Sequence, residues 1–89
     1  MTLRLAVSLR ETLLRAYAFG DDQQKITIGR LPTCEVVVDN LALSREHASI
    51  VRERGEWLMR DLGSRNGVFV NGQRKPVHAL ASGDVIGLG

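Results

Sequence analysis

The stretch Leu62-Gly63-Ser64-Arg65-Asn66-Gly67-Val68-Phe69-Val70-Asn71-Gly72 decides the fold. Three residues that favour pleated backbone, Val68 to Val70, lie between two Asn-Gly pairs. Asn71-Gly72 is the strongest short hairpin signal available, because the two-residue turns that match strand twist need positive φ at both central positions. The segment is a short strand closed by a tight turn.

The same grammar runs outward in both directions. Upstream, Glu56 to Leu62 and His47 to Val51 form two strands joined by a turn at Arg54-Gly55. Val36-Val37-Val38 is β-branched and stops at Asp39-Asn40, so it is another strand. Lys25 to Gly29 places Ile26 and Ile28 on one face, and Leu31-Pro32-Thr33 interrupts it. Leu3, Leu5, Val7 and Leu9 recur at period two, the pattern of a half-buried strand. Leu13 to Phe19 fits a helical stripe through Leu13, Leu14 and Tyr17, and also a strand face through Leu13, Tyr17 and Phe19. The strand is preferred because Gly20-Asp21-Asp22 then ends it as a turn. Downstream, Val77 to Leu80 is a further strand, and Asp84 to Leu88 follows a turn at Ser82-Gly83. The expected fold is all-β, a sandwich of two twisted, mainly antiparallel sheets of ten or eleven short strands, with the binding loops at one end. No repeat, linker or low-complexity run divides residues 1–89, which form one domain.

Composition narrows the function classes. Apolar residues make up 44% of the 89, enough for a core, and charged residues 25%. Twelve Lys and Arg against ten Asp and Glu leave a net charge of +2, too small to argue for nucleic acid. The aromatic residues are Tyr17, Phe19, Trp57 and Phe69, mostly within strand patterns, so no platform for stacking bases exists. The single cysteine, Cys34, has no partner for a disulfide or a metal pair. Without a paired base nearby it is a small packed side chain rather than a nucleophile. No apolar run approaches the ~18 residues of a membrane span. The expectation is a soluble, cytoplasmic chain with no metal, no cofactor, no membrane association and no specific nucleic-acid partner.

In a sandwich the strands supply rigidity and the loops supply chemistry. Three loops stand out: Gly29-Arg30, Leu43-Ser44-Arg45-Glu46-His47, and Gly63-Ser64-Arg65-Asn66-Gly67. A phosphate ester carries about −1.5 to −2 charges near neutral pH and three acceptor oxygens. Guanidinium offers planar paired donors to such a group, and a hydroxyl with backbone N–H groups completes a cradle. Arg30, Ser44 and Arg45 match that need if the fold brings them together. Asn66 has both a donor and an acceptor, which suits a peptide backbone. Taken singly, Arg30, Arg45 and Arg65 are ordinary solvated surface residues.

Gly29-Arg30, Ser44-x-x-His47, Asn66-Gly67 and Asn71-Gly72, in that order, resemble the signature of the forkhead-associated (FHA) domain. Val38-Asp39, Leu62-Gly63-Ser64 and Val68-Phe69-Val70 between them match as well, and the resemblance runs from about Ile26 to Gly89. It implies a phosphothreonine-dependent binding module rather than an enzyme. Its partner would be a phosphothreonine-containing protein or peptide, in trans or in cis, downstream of a Ser/Thr kinase. By resemblance Arg30, Ser44 and Arg45 contact the phosphate. Asn66 holds the peptide backbone, and Arg65 borders the pocket for the threonine methyl, where many members carry Thr. His47 braces the loops, while Gly29, Gly67, Asn71 and Gly72 are structural supports. A Ser44–His47 hydrolase is the sharper alternative for that pair, but no Gly-x-Ser-x-Gly elbow or acidic orienter accompanies it. A phosphate-independent assembly scaffold on the same fold is the alternative function. The resemblance also implies one more strand after Gly89, beside the first, so the domain is expected to lack its last strand.

Overall fold

A computed structural model describes residues 3–9, 12–20, 22–81 and 83–88. Asp21, Ser82 and Gly89 lie outside the described residues, as do the side chains of Val7, Leu9, Leu13 and Leu14. Ten strands and no helix are present among the described residues: β1 (Leu3–Leu9), β2 (Thr12–Phe19), β3 (Lys25–Gly29), β4 (Val36–Val37), β5 (Ala48–Glu53), β6 (Glu56–Asp61), β7 (Val68–Val70), β8 (Gln73–Arg74), β9 (Val77–Ala79) and β10 (Ile86–Leu88). The segment read as ambiguous is a strand: Tyr17 and Phe19 stack on one face with ring centroids 6.0 Å apart.

Five strands form one sheet in the order β4-β3-β5-β6-β9. The facing layer consists of two ladders, β10-β7-β8 and β1-β2. Only β3 and β4 pair in parallel among the described strands. Period-two alternation explains which residues meet between the layers. Ile26 pairs with Ile50, and Ile50 with Met59, and all three are fully buried. Val68 and Val70 of β7 close the core from the other side. Leu3, Leu5, Tyr17 and Phe19 of the β1-β2 ladder and Ile86 and Leu88 of β10 pack partly buried against it. Each fully buried aliphatic side chain of this kind contributes about 1.5–3 kcal/mol.

The turns match their sequence signals. Arg54 and Gly55 have φ of 51° and 78° between the paired residues Glu53 and Glu56. Asn71 and Gly72 have φ of 50° and 84° between Val70 and Gln73. Both are the tight turns in which positive φ at two positions follows the twist of the strands.

Strand direction decides where the loops gather. β3 runs antiparallel to β5, and β5 antiparallel to β6. The end of β3, the start of β5 and the end of β6 therefore share one end of the sheet. The β3–β4, β4–β5 and β6–β7 loops all leave from that end.

Candidate functional site

The site starts at Gly29, the last residue of β3. A Cβ here would overlap the carbonyl of Arg45, so only glycine lets the two backbones touch. The contact is then locked by hydrogen bonds. Arg30 N–H donates to the Ser44 carbonyl (3.2 Å) and the Arg45 carbonyl (3.0 Å), and Leu31 N–H donates to Arg45 (3.1 Å). The Arg30 Nε–H donates to the Leu43 carbonyl at 3.3 Å. That bond fixes the half-buried arginine at its Nε and leaves its Nη groups without a partner among the described residues.

Asn40 shapes the next loop. Its side-chain oxygen accepts Ala42 N–H (2.8 Å) and its carbonyl accepts Leu43 N–H (3.0 Å). Leu43 then drops into the core, 4% exposed, and Ser44 follows at the rim. Ser44 Oγ accepts the backbone N–H of Arg65 at 3.0 Å. A hydroxyl that accepts in this way keeps its own hydrogen to donate outward.

His47 is fully buried beneath these loops. Its Nδ1 accepts Ser44 N–H at 3.1 Å, so Nδ1 carries no hydrogen. Nε2 therefore carries it, and donates to the Gly67 carbonyl at 2.7 Å. Leu62 N–H adds a bond to the His47 carbonyl at 3.0 Å. The histidine thus ties the β4–β5 loop to the β6–β7 loop, and neither ring nitrogen faces the Ser44 hydroxyl.

The β6–β7 loop is held from inside. Asp61 accepts Ser64 N–H at 2.7 Å, and Ser64 Oγ accepts Gly67 N–H at 3.0 Å. Burial pushes the Asp61 carboxyl up, but hydrogen bonds from the Ser64 N–H and hydroxyl, aided by the nearby Arg74 charge, hold it below the usual carboxylate range. Gly67 has φ of 85°, and the Arg74 guanidinium lies where its Cβ would be. The loop presents Arg65 and Asn66, both exposed. Asn66 Nδ2 donates to the Ala42 carbonyl at 2.7 Å, a further link between the β4–β5 and β6–β7 loops.

The structure therefore gathers Arg30, Ser44, Arg45, Arg65 and Asn66 onto three loops, with the β4–β5 loop bonded to each of the other two. Arg45 and Arg65 are exposed and form no ion pair among the described residues. Cys34 is 7% exposed, with Sγ 3.6 Å from the Arg45 carbonyl, and burial foremost raises its thiol pKa. It packs under the loop. Asn71 lies elsewhere: its Nδ2 donates to Asp84, and Val85 N–H donates to its Oδ1, both at 3.0 Å, which ties the β7–β8 turn to the segment before β10.

Sequence reasoning missed Asp61, Ser64, Asn40 and Arg74. The Asp-x-x-Ser spacing and the Asp39-Asn40 pair were the available signals, since short polar side chains bond to backbone two or three residues on.

A family model described as the FHA domain matches residues 26–89. The chain belongs to the FHA domain family. Over 70 residues it is 40% identical to the glycogen accumulation regulator GarA of Mycolicibacterium smegmatis, covering 76% of this chain and 43% of that one. It is 35% identical over 68 residues to the oxoglutarate dehydrogenase inhibitor of Corynebacterium diphtheriae, covering 76% of this chain and 48% of that protein. The FHA chain thus spans less than half the length of these curated relatives. A solved structure from work on phosphothreonine-dependent FHA domain interactions superposes with a TM-score of 0.86 at 29% identity, over 100% of this chain and 88% of its own. EmbR of Mycobacterium tuberculosis, solved with a low-affinity phosphopeptide, matches with a TM-score of 0.74 at 36% identity, over 81% of this chain and 19% of its own. No helix among the described residues is long and apolar enough to cross a membrane.

Proposed function

We propose that this FHA domain is a binding module for phosphothreonine-containing peptides, acting without catalysis in a cytoplasmic Ser/Thr kinase pathway. The observation that carries the reading is the juxtaposition of Arg30 with Ser44. The bonds from Arg30 N–H to the Ser44 and Arg45 carbonyls, and from its Nε to the Leu43 carbonyl, anchor the arginine to the loop that carries Ser44, whose hydroxyl accepts Arg65 N–H and keeps its own hydrogen to donate. Arg30 and Ser44 supply the charged and neutral donors to phosphate, with Arg45 adding charge from the same loop. Charge-assisted hydrogen bonds of this type contribute about 1.5–3 kcal/mol each. Asn66 holds the peptide backbone once its amide turns from Ala42 to the ligand. Arg65, exposed beside it, borders the space for the threonine methyl.

The same geometry supports binding over hydrolysis. A serine nucleophile needs a base at its Oγ, whereas His47 spends Nδ1 on the Ser44 backbone and Nε2 on Gly67. Capture of a degenerate phosphothreonine peptide library, before and after phosphatase treatment, tests the reading. Retention that phosphatase abolishes supports it. Equal retention would instead indicate a phosphate-independent scaffold.

A further inference from the structure

Arg74 is exposed and forms no hydrogen bond or ion pair among the described residues, yet its guanidinium is packed against the β6–β7 loop. The backbone brings it there. Arg74 pairs with Phe69 across the β7–β8 ladder, and Lys75 N–H donates to the Val68 carbonyl at 2.9 Å. Asp61 N–H donates to the Pro76 carbonyl at 2.9 Å. The segment after β8 thus lies between the start of β7 and the end of β6, behind the loop that joins them. Paired residues share a sheet face, and Gly67 lies two residues before Phe69. Nε, Cζ and Nη2 of Arg74 come within 2.5 to 3.1 Å of the point a Gly67 Cβ would occupy, and they are the three atoms nearest to it. Gly67 is therefore held at three places. Its N–H donates to Ser64 Oγ, its carbonyl accepts His47 Nε2, and a planar, weakly hydrated guanidinium covers its Cα.

We infer that Arg74 is a positioning residue for phosphopeptide binding, acting through Asn66 and not on the ligand. This rests on the phosphopeptide reading of the site. In that reading Asn66 exchanges its bond to Ala42 for the peptide backbone, so the β6–β7 loop gives up a link to the β4–β5 loop as it binds. The neighbouring Gly67 must then keep Asn66 in place. Glycine has the freest backbone of any residue, and here φ is 85°. Rotation at Gly67 swings Asn66, and the guanidinium packed on its Cα opposes that rotation. Without Arg74 the amide has to be ordered anew at each binding event, which costs affinity.

Two measurements test this. In the ligand-free protein, Arg74→Ala should speed hydrogen exchange of the Gly67 N–H by about tenfold, read by NMR, and leave the Arg30 N–H unchanged. With a phosphothreonine peptide, Arg74→Ala should weaken binding about fivefold in the wild type but less than about twofold in an Asn66→Ala background, because positioning matters only while there is an amide to position. Arg74→Lys keeps the charge without the planar group and should stay about threefold weaker than the wild type. Both positions are exposed, and unchanged melting temperatures verify the fold. Equal losses in the two backgrounds mean that Arg74 touches the ligand or acts on the whole fold, and they overturn the inference. Unchanged Gly67 exchange, unchanged affinity of Arg74→Ala, or full recovery by Arg74→Lys overturns it too. Each of these leaves the phosphopeptide reading standing. Equal binding of the phosphorylated and unphosphorylated peptide to the wild type overturns that reading and this role together.

Discussion

His47 and Gly67, twenty residues apart in sequence, are joined by a 2.7 Å hydrogen bond from a fully buried ring nitrogen to a backbone carbonyl. Together with the bond from Ser44 N–H to the other nitrogen, it makes one imidazole the strut between two binding loops. Replacing it exposes the cost of the arrangement. His47→Ala leaves the Ser44 N–H and the Gly67 carbonyl without their partner and opens a void. Stability should fall by about 2–4 kcal/mol, measured by urea unfolding. Ligand affinity should fall with it, because both loops are released.

Gly29→Ala tests the close approach between β3 and the β4–β5 loop. The new methyl collides with the Arg45 carbonyl, which is backbone and has no rotamer to adopt. The strand and loop must separate, at about 1–3 kcal/mol in unfolding free energy. Since Arg30 hangs on the same contact, phosphopeptide affinity should drop by more than the added unfolded fraction explains. Calorimetric titration well below the melting temperature separates the two effects.

The Asp61–Ser64–Gly67 relay predicts a pH response. The folded protein holds the Asp61 carboxyl below its ordinary value despite burial. Its contribution is therefore present above the unfolded carboxylate pKa of about 3.9 and is lost as pH falls through the lower folded value. Asp61→Asn should flatten the acid limb of the stability–pH curve below about pH 4. At neutral pH it should destabilise, because the charge that binds Ser64 is gone. Thermal melts between acid and neutral pH give both readings.

Much of the fold was legible because its signals are local. The alternation in Leu3 to Leu9 and Ile26 to Ile28, and the positive-φ pairs at Arg54-Gly55 and Asn71-Gly72, lie within a few residues of sequence. Element ends were less legible. Val38 was read as strand, yet the ladder stops at Val37. Val38 remains buried because it packs on the core while entering the loop, so hydrophobicity alone did not mark the end. His47 was read as the first residue of the next strand, which begins at Ala48.

The site divides in the same way. Arg30, Ser44 and Asn66 stood out through motif order. The supports at Asp61, Ser64 and Arg74 did not, because their roles depend on a loop doubling back on itself. The link from Asn71 to Asp84 spans thirteen residues and needs the β7–β10 pairing to exist. His78 Nε2 adds a 3.0 Å contact to the same carboxylate. Hydrogen bonds from Ala81 N–H, Asn71 and His78 hold Asp84 below the usual carboxylate range.

The most direct measurement is calorimetric titration of one phosphothreonine peptide, and of its unphosphorylated twin, into the wild type and Arg30→Ala. The arginine is half-buried and bonded through Nε, so losing its charge-assisted contacts to phosphate should weaken binding by about 1.5–3 kcal/mol, roughly 10- to 150-fold. The unphosphorylated peptide should bind neither protein measurably. Equal affinity of the phosphorylated peptide for a folded Arg30→Ala and the wild type would contradict the account.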